Sequence, residues 1–358
     1  MQVRVLDDYY LAITFLITVA YQLFFFSIAW TFKFDKLTDF AGGTNFALLA
    51  IITLGLGSTA TGWNGHDNAR QIVASLFIML WALRLSGFLL FRILKTGKDD
   101  RFDDKRDKFF PFLGFWVFQM FWVWTVSLPV TLLNSPNVQK YIQPSFGKGS
   151  DIAGVVFWAI GFLMEAIADI EKYRYKMRHK GPKEICDKGF WRFSRHPNYA
   201  GEILVQFGVF SPLVVTLMPC LTSPAIYMVA VTPAATNYVQ GGARAALYAS
   251  IVGPLFLTIL LMFVSGLTLQ ERPAAKKKYE QGTGWPEYSA YLHRTSMLIP
   301  FPPQIYSRLP VWMKRTVFLE FPIYVFDPAK HSDQKAIQQR EAEEGASSGP
   351  DREGESRD

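Results

Sequence analysis

Apolar residues in this chain of 358 residues occur in long blocks separated by short polar loops. The blocks cover residues 9–32, 45–61, 72–94, 109–133, 152–170, 202–221 and 247–269. Most of them approach the ~20 residues that an α-helix needs to cross about 30 Å of hydrocarbon. The pattern therefore predicts an all-α, polytopic membrane bundle of about seven transmembrane helices, one for each apolar block.

Two regions depart from this pattern. Residues 222–244 are partly apolar but are interrupted by prolines and a Gly-Gly pair, so we interpret them as a lumenal or re-entrant insertion. An eighth span there would move the C-terminus to the other side of the membrane. After Lys330 the sequence becomes polar and rich in Glu, Ser and Gly, which is typical of a disordered segment. The predicted domains are N-terminal membrane helices at 1–71, a main membrane domain at 72–330 and a disordered cytosolic tail at 331–358.

The positive charge follows the loops between the apolar blocks. The net charge is +7 at pH 7, and the loops at 95–108 and 172–195 are rich in Lys and Arg, whereas the loop at 135–150 is not. Because short cytoplasmic loops carry an excess of Lys and Arg, this asymmetry predicts a lumenal N-terminus and a cytosolic C-terminus. It favours a membrane topology over nucleic-acid binding as the explanation of the charge.

Cysteine and histidine usage argues against a disulfide framework and against a metal site. The chain has two cysteines and five histidines, and the histidines are scattered without ligand spacing. The first apolar block is too long for the h-region of a signal peptide, so we expect it to remain as a membrane anchor.

Two carboxylates interrupt the fifth apolar block. Glu165 and Asp169 are spaced i, i+4 and therefore share one face of a helix. They repel each other unless one is protonated or a cation or polar ligand lies between them. Ionisable residues in apolar blocks are costly and mark functional candidates. The alternative interpretation is a salt-bridged helix end whose charges reach the lipid headgroups.

The segment before the sixth apolar block has the features of a phosphate site. Residues 189–202 read GFWRFSRHPNYAGE, in which the proline disfavours helix before it and Asn198 is a good N-cap for a helix starting at Tyr199. The amides at this helix start, beside Arg192 and Arg195, would bind a phosphate. A basic turn that contacts anionic lipid is the alternative.

Several segments resemble the steroid 5α-reductase-like superfamily of membrane proteins, and most closely its branch of uncharacterised fungal and bacterial members. FSRHPNYAGE at 193–202 is similar to the signature of that branch. LWALRLSGFLLFRILKTGKDDRF at 80–102 and EAIADIEKYRYK at 165–176 are similar to two further blocks. FVSGLTLQERPAAKKKY and EYSAYLHRTSMLIP are similar to the C-terminal end of the branch. The resemblance runs from about residue 72 to residue 300 and leaves out the first two spans and the tail.

This resemblance implies an NADP-dependent oxidoreductase of the endoplasmic reticulum membrane. Members of known activity use NADPH to reduce a carbon–carbon double bond, often one conjugated to a ketone in a steroid or sterol. The resemblance implies that Asn198 and Glu202 face the nicotinamide and that Asp169 lines the cofactor cavity. Further implied cofactor contacts are Lys176, Arg192, Arg195, His196, Tyr199, Tyr288 and Tyr291.

Reduction of an enone also requires a proton donor. Hydride transfer leaves negative charge on the carbonyl oxygen, so an acid or strong hydrogen-bond donor must lie there in a dry cavity. In characterised relatives the donor comes from the N-terminal helices, where this sequence offers no clear match. Tyr21 and Glu165 are the candidates for the catalytic role.

Two other functions stay open. Isoprenylcysteine and phospholipid methyltransferases, which use S-adenosylmethionine, have a similar RHPxYxG element. Asn198, Glu202 and the basic surroundings fit a phosphorylated dinucleotide better than this methyl donor. A catalytically inactive, sterol-binding membrane protein is the third interpretation, favoured by the missing N-terminal acid.

Overall fold

The computed structural model describes residues 3–61, 69–96, 105–141, 145–147, 149–179, 185–206, 239–282, 284–334 and 337–338. This part of the chain is helical, without a strand, so the predicted all-α class is confirmed. The α-helices are α1 Leu11–Phe32, α2 Thr38–Thr61, α3 Ala69–Thr96, α4 Phe109–Leu133, α5 Pro136–Gln139, α6 Gly149–Arg178, α7 Pro197–Gln206, α8 Gly241–Ala249, α9 Val252–Ile259, α10 Leu267–Glu280, α11 Trp285–Arg294, α12 Pro303–Tyr306, α13 Val311–Thr316 and α14 Pro328–His331. Short 3₁₀ turns lie at Asp35–Leu37 and Gly189–Arg192, and Leu260–Val264 is a π-helical segment.

Five helical stretches in the described chain are long and apolar enough to cross a membrane. They are Leu11–Phe32, Thr38–Gly57, Ala69–Lys95, Phe109–Gln139 and Gly241–Glu280. Membrane insertion is therefore supported, while the predicted number of seven spans stays a prediction. The fifth apolar block forms part of α6, which is more highly charged than these five. The structure describes the sixth apolar block only up to Gln206. The predicted insertion up to residue 238 and most of the predicted tail lie outside the described residues.

The chain divides into two compact units. Unit 1 consists of Met1–Asp169 and Asn198–Leu260, and unit 2 consists of Ile170–Pro197 and Leu261–Asp358. Unit 1 holds the N-terminal apolar helices, and unit 2 holds α10 to α14 together with the basic segment after α6. The domain boundaries predicted near residues 71 and 330 stay predictions.

Helices α3 and α6 run side by side in unit 1 in a fixed register. The residues in contact recur every seven positions on both helices, as Arg70 with Asp151, Phe77 with Trp158 and Arg84 with Glu165. The same order on both helices means that they are parallel. A seven-residue repeat is typical of helices that cross at about +20° in a left-handed sense.

The first two of these contacts fix the register by different means. The guanidinium of Arg70 donates from Nε and Nη2 to the two carboxylate oxygens of Asp151, at 3.0 and 2.9 Å. The rings of Phe77 and Trp158 are stacked with their centroids 4.0 Å apart. A two-point ion pair and a stacked pair tolerate little sliding or rotation of either helix.

Buried amides join α1, α2 and α4. Gln22 donates to the side-chain oxygen of Asn45 at 3.1 Å and accepts a hydrogen bond from Gln119 at 2.9 Å. Hydrogen bonds between apolar helices are worth about 1 kcal/mol each in a membrane, where lipid offers no competing partner. These amides therefore hold the N-terminal helices together at mid-length.

The Arg70–Asp151 pair provides the first test of this fold. Asp151→Ala removes the carboxylate from a guanidinium that is 2% exposed, so we expect a loss of about 3–5 kcal/mol of stability. The measurement is the thermal unfolding midpoint of the purified protein in detergent. Asp8→Ala, which breaks the exposed Arg4–Asp8 pair, is the control and should cost less than about 1 kcal/mol. Equal shifts for the two variants would contradict the assigned role of the buried pair.

Candidate functional site

One guanidinium and three carboxylates meet inside unit 1. Arg84 of α3 forms an ion pair with Glu165 of α6, and its Nη1 donates to Oδ2 of Asp169 at 2.8 Å. Glu202 of α7 is buried and interacts electrostatically with all three. We call Arg84, Glu165, Asp169 and Glu202 the carboxylate cluster.

Two glycines bring α7 against α6 at this cluster. A Cβ atom on Gly201 would lie 2.7 Å from the backbone nitrogen of Glu165 and 2.7 Å from the carbonyl oxygen of Gly161. A Cβ atom on Gly161 would lie 2.9 Å from the carbonyl oxygen of Gly201. Only residues without a side chain permit this approach, which places Glu202 beside the carboxylates of α6.

The charges of the carboxylate cluster do not balance within the described chain. Within the described chain Arg84 is paired with Glu165 and Asp169, so the buried Glu202 requires a proton or a positively charged or donating ligand in these surroundings. Four buried side-chain atoms on α6 and α7 lack a hydrogen-bond partner among the described residues, namely Nε1 of Trp158, Oε2 of Glu165, Oδ1 of Asn198 and Nε2 of Gln206. Buried polar atoms are normally paired, so these atoms are available to a polar ligand.

The polar residues of α7 form one stripe. Asn198, Glu202 and Gln206 are four residues apart and therefore lie on the same face of the helix. The helix begins at Pro197, so the prediction that it starts at Tyr199 with Asn198 as its N-cap is wrong. Proline favours the first helical position because its missing N–H needs no partner there and its φ is already helical. Asn198 consequently lies in the first turn.

A different set of charges holds the basic segment in unit 2. Arg195 is buried, and its two terminal nitrogens form ion pairs with Glu271 of α10 and with Glu320. Nε2 of His196 lies 2.7 Å from the other oxygen of Glu271, and the hydroxyl of Tyr306 donates to Glu320 at 2.9 Å. We call Arg195, His196, Glu271 and Glu320 the arginine clamp.

In the arginine clamp, burial lowers the pKa values of Arg195 and His196, and the neighbouring carboxylates raise them. Burial disfavours the charged form of Arg195, but Glu271 and Glu320 hold its pKa above the ordinary value. Burial lowers the pKa of His196 despite its hydrogen bond to Glu271, so the ring is neutral at pH 7. A neutral ring beside a carboxylate carries its proton on Nε2 and donates it to Glu271.

Backbone pairing keeps the residues before α7 extended. The amide of Arg195 donates to the carbonyl of Ser296 at 2.8 Å, and the amide of His196 donates to the carbonyl of Met297 at 3.1 Å. The hydroxyl of Ser194 donates to the carbonyl of Leu298 at 2.8 Å. These bonds agree with the predicted absence of helix before the proline.

A cavity of about 330 Å³ opens beside the arginine clamp in unit 2. Its lining combines cations and aromatic rings, among them Lys172, Lys176, His179, Trp191, Tyr288 and Tyr291. The ammonium of Lys172 lies 4.1 Å from the centroid of the Trp191 ring, which is a cation–π distance. Burial raises the pKa of both Tyr288 and Tyr291, so their hydroxyls stay neutral hydrogen-bond donors. We call this space the basic cavity.

A second cavity of unit 2, of about 440 Å³, is lined by Asp187, Arg192, Arg294, Pro303, Gln304 and Ser307. Nη2 of Arg294 lies 2.7 Å from Oδ2 of Asp187. Arg192 lines this second cavity and not the basic cavity. We call this space the arginine cavity.

The predicted site residues are thus distributed over five places, one of which is the arginine cavity with Arg192. Three of them, Glu165, Asp169 and Glu202, lie in the carboxylate cluster, and Asn198 and Tyr199 lie in the first turn of α7. The basic cavity is lined by Lys176, Arg195, His196, Tyr288 and Tyr291. The hydroxyl of Tyr21 is 2.8 Å from that of Thr44 on α2.

Sequence reasoning missed the partners of these residues. Arg84 and Lys172 were not predicted as site residues, nor was Glu271. A signal existed for Arg84, because a guanidinium inside an apolar block needs a buried partner. No local signal marked Glu271 as a partner of Arg195, since 76 residues separate them.

The apolar helices and the buried ionisable cluster together define an integral membrane protein with a polar interior. The chain belongs to the family described as a protein of unknown function, DUF1295, whose model matches residues 25–237 and 235–295. No curated protein matches the chain, and no solved structure matches it.

The close approach of α6 and α7 provides the second test. Gly201→Ala places a methyl group 2.7 Å from backbone atoms of α6, so α7 must move away and the thermal unfolding midpoint should fall by several degrees. Gly87→Ala in α3 is the matched control, because a Cβ atom there meets nothing within 4 Å. We expect no loss of stability for Gly87→Ala, since alanine favours helix over glycine. Similar midpoints for the two variants would argue against the close contact.

Proposed function

We propose that this protein is an NADPH-dependent reductase of a carbon–carbon double bond in a lipid, of the steroid 5α-reductase-like type. The observation that carries the proposal is the basic cavity, which is lined by cations and aromatic rings together. Two of its lining residues, Arg195 and His196, belong to the SRHPNYAGE signature. Family membership and the resemblance of the flanking segments support it.

The basic cavity suits the phosphate and purine part of a dinucleotide. Lys172 and Lys176 are one helical turn apart, so both face the cavity from α6 and offer two cations to phosphate oxygens. Trp191, Tyr288 and Tyr291 offer aromatic faces to a base or sugar. Tyr288 also offers a neutral hydroxyl, whereas the hydroxyl of Tyr291 donates to the carbonyl oxygen of Trp191 at 2.8 Å. The volume is near the lower end of ligand pockets, about 300–1,000 Å³, so it accepts part of the cofactor.

Arg195 has a different role in this proposal from the one that the resemblance implies. Its two terminal nitrogens are held by Glu271 and Glu320, so a phosphate would have to displace a carboxylate to reach them. We assign the phosphate contacts to the two lysines of α6 and assign Arg195 to the positioning of the segment before α7.

The carboxylate cluster suits the proton chemistry. NADPH, when bound, would supply the hydride. One oxygen of Glu165 is held by Arg84, which fixes the carboxyl group, while the other has no partner in the described chain. A proton on that second oxygen can be donated to a substrate carbonyl on which negative charge develops. The apolar helices exclude water and strengthen this hydrogen bond.

The register of α3 and α6 supports one part of the proposed topology, the relative direction of the predicted third and fifth spans. The contacts from Arg70 to Arg84 extend over 14 residues, or about 21 Å of helix, so α6 accompanies a membrane helix over most of a hydrocarbon layer. Because the two helices are parallel, they cross in the same direction, as the predicted third and fifth spans do. From the basic loops at 95–108 and 172–195 we propose a lumenal N-terminus and a cytosolic C-terminus, and from the resemblance we propose residence in the endoplasmic reticulum.

Cofactor binding by the protein in lipid nanodiscs tests the proposal. We expect NADPH to bind more tightly than S-adenosylmethionine and Lys176→Gln to weaken NADPH binding by about tenfold, since a charged hydrogen bond to phosphate is worth 1.5–3 kcal/mol. Arg178→Gln, which removes the same charge two residues further along α6, is the control and should retain affinity. Preference for S-adenosylmethionine would favour a methyltransferase. NADPH binding without oxidation against sterol enones and long-chain 2-enoyl lipids would favour the inactive sterol-binding protein.

The proton donor can be tested separately. We expect Glu165→Gln to lower the rate of enone reduction by about 10²–10⁴-fold, the usual contribution of a general acid, while NADPH affinity changes less than about twofold. Tyr21→Phe is the comparison, because Tyr21 is the other candidate and its hydroxyl contacts Thr44. A large loss of rate in Tyr21→Phe with normal turnover in Glu165→Gln would reverse the assignment.

A further inference from the structure

The arginine cavity has the composition of an oxyanion site. It presents two guanidiniums, an amide and a hydroxyl, from Arg192, Arg294, Gln304 and Ser307. Asp187 neutralises Arg294, whereas Arg192 forms no ion pair within the described chain. The cavity therefore carries one uncompensated positive charge and several hydrogen-bond donors, and these recognise a phosphate group.

The chain next to this cavity has the composition of a membrane surface. Ile305, Val311 and Trp312 are large apolar residues with 52%, 60% and 62% of their surface exposed. Arg308 and Arg315 are exposed in the same short stretch. Apolar side chains, a tryptophan and arginines together are typical of segments that lie among lipid headgroups.

The stretch at 303–315 supplies both lining residues of the cavity and exposed apolar residues. This combination favours the phosphate of a lipid over a soluble phosphate. Gln304 and Ser307 line the cavity, while Ile305 between them is exposed. The exposed apolar side chains thus follow the lining residues closely in the chain, and they favour acyl chains over water. A lipid meets both conditions with one molecule, and a free phosphate meets only the first.

We propose that unit 2 binds an anionic phospholipid, with the phosphate in the arginine cavity and the acyl region against Ile305, Val311 and Trp312. The single uncompensated guanidinium favours lipids with net negative charge over zwitterionic ones. This site is separate from the basic cavity and does not depend on the proposed reduction. It anchors the segment from α12 to α13 to the leaflet surface.

Lipid retention measured by native mass spectrometry tests this site. Protein is reconstituted in nanodiscs of phosphatidylcholine with phosphatidylglycerol, extracted in mild detergent, and the bound lipids are counted. We expect the wild-type chain to retain phosphatidylglycerol in preference to phosphatidylcholine and Arg192→Gln to retain at least about fivefold less, as the loss of one charge near a lipid surface costs ~1 kcal/mol. Arg178→Gln, with the same change of charge, should behave as the wild type.

A substitution that should increase lipid retention provides a control that misfolding cannot explain. Asp187→Asn releases Arg294 from its partner and should increase retention of phosphatidylglycerol, while the exposed ion pair that it breaks contributes little to stability. Three outcomes would overturn the proposal. They are equal retention by Arg192→Gln and the wild type, equal retention of the two lipids, and full displacement of phosphatidylglycerol by millimolar inorganic phosphate. A loss of NADPH affinity in Arg192→Gln without a change in lipid retention would instead assign Arg192 to the cofactor.

Discussion

The ion pairs between Arg84 and the carboxylates of α6 are the constraint on which the interior of unit 1 depends. A guanidinium inside apolar helices persists only with a carboxylate partner, and a buried carboxylate likewise needs a partner or a proton. Arg84 meets Glu165 and Asp169 because contacts further along the same helices hold them in register. The cluster is therefore the last in a series of contacts between α3 and α6 that begins with Arg70 and Asp151.

The position of α7, the third helix of the cluster, is set by its close backbone contact with α6. Gly161 and Gly201 let α7 approach α6 closely enough for Glu202 to join the carboxylates. Small residues thus determine where the charges meet, and the charges determine what chemistry the interior can support.

In unit 2 the cations have two different roles. Arg195, with a planar group that binds two carboxylates, fixes the backbone, while the lysines of α6 line open space.

The sequence predicted those features that depend only on residues close together in the chain. The apolar blocks gave the helices of unit 1 because span length and hydrophobicity are properties of a short window, and the i, i+4 spacing placed Glu165 and Asp169 on one face. Their partner was not predictable in this way, since Arg84 lies 81 residues before Glu165 and meets it only through the packing of two helices. Arg195 shows the same limit. Its neighbours in sequence suggested a cation free to bind phosphate, but carboxylates 76 and 125 residues away occupy it.

The common seven-residue spacing of α3 and α6 limits how this family can vary in length. One residue inserted between Arg70 and Arg84 would turn the rest of α3 by about 100° and carry the second guanidinium away from α6. Compensation would require a matching insertion in α6 or a change of a whole heptad in both helices. Relatives are therefore expected to differ in the loops before and after these helices, while the interval between the two arginines stays constant.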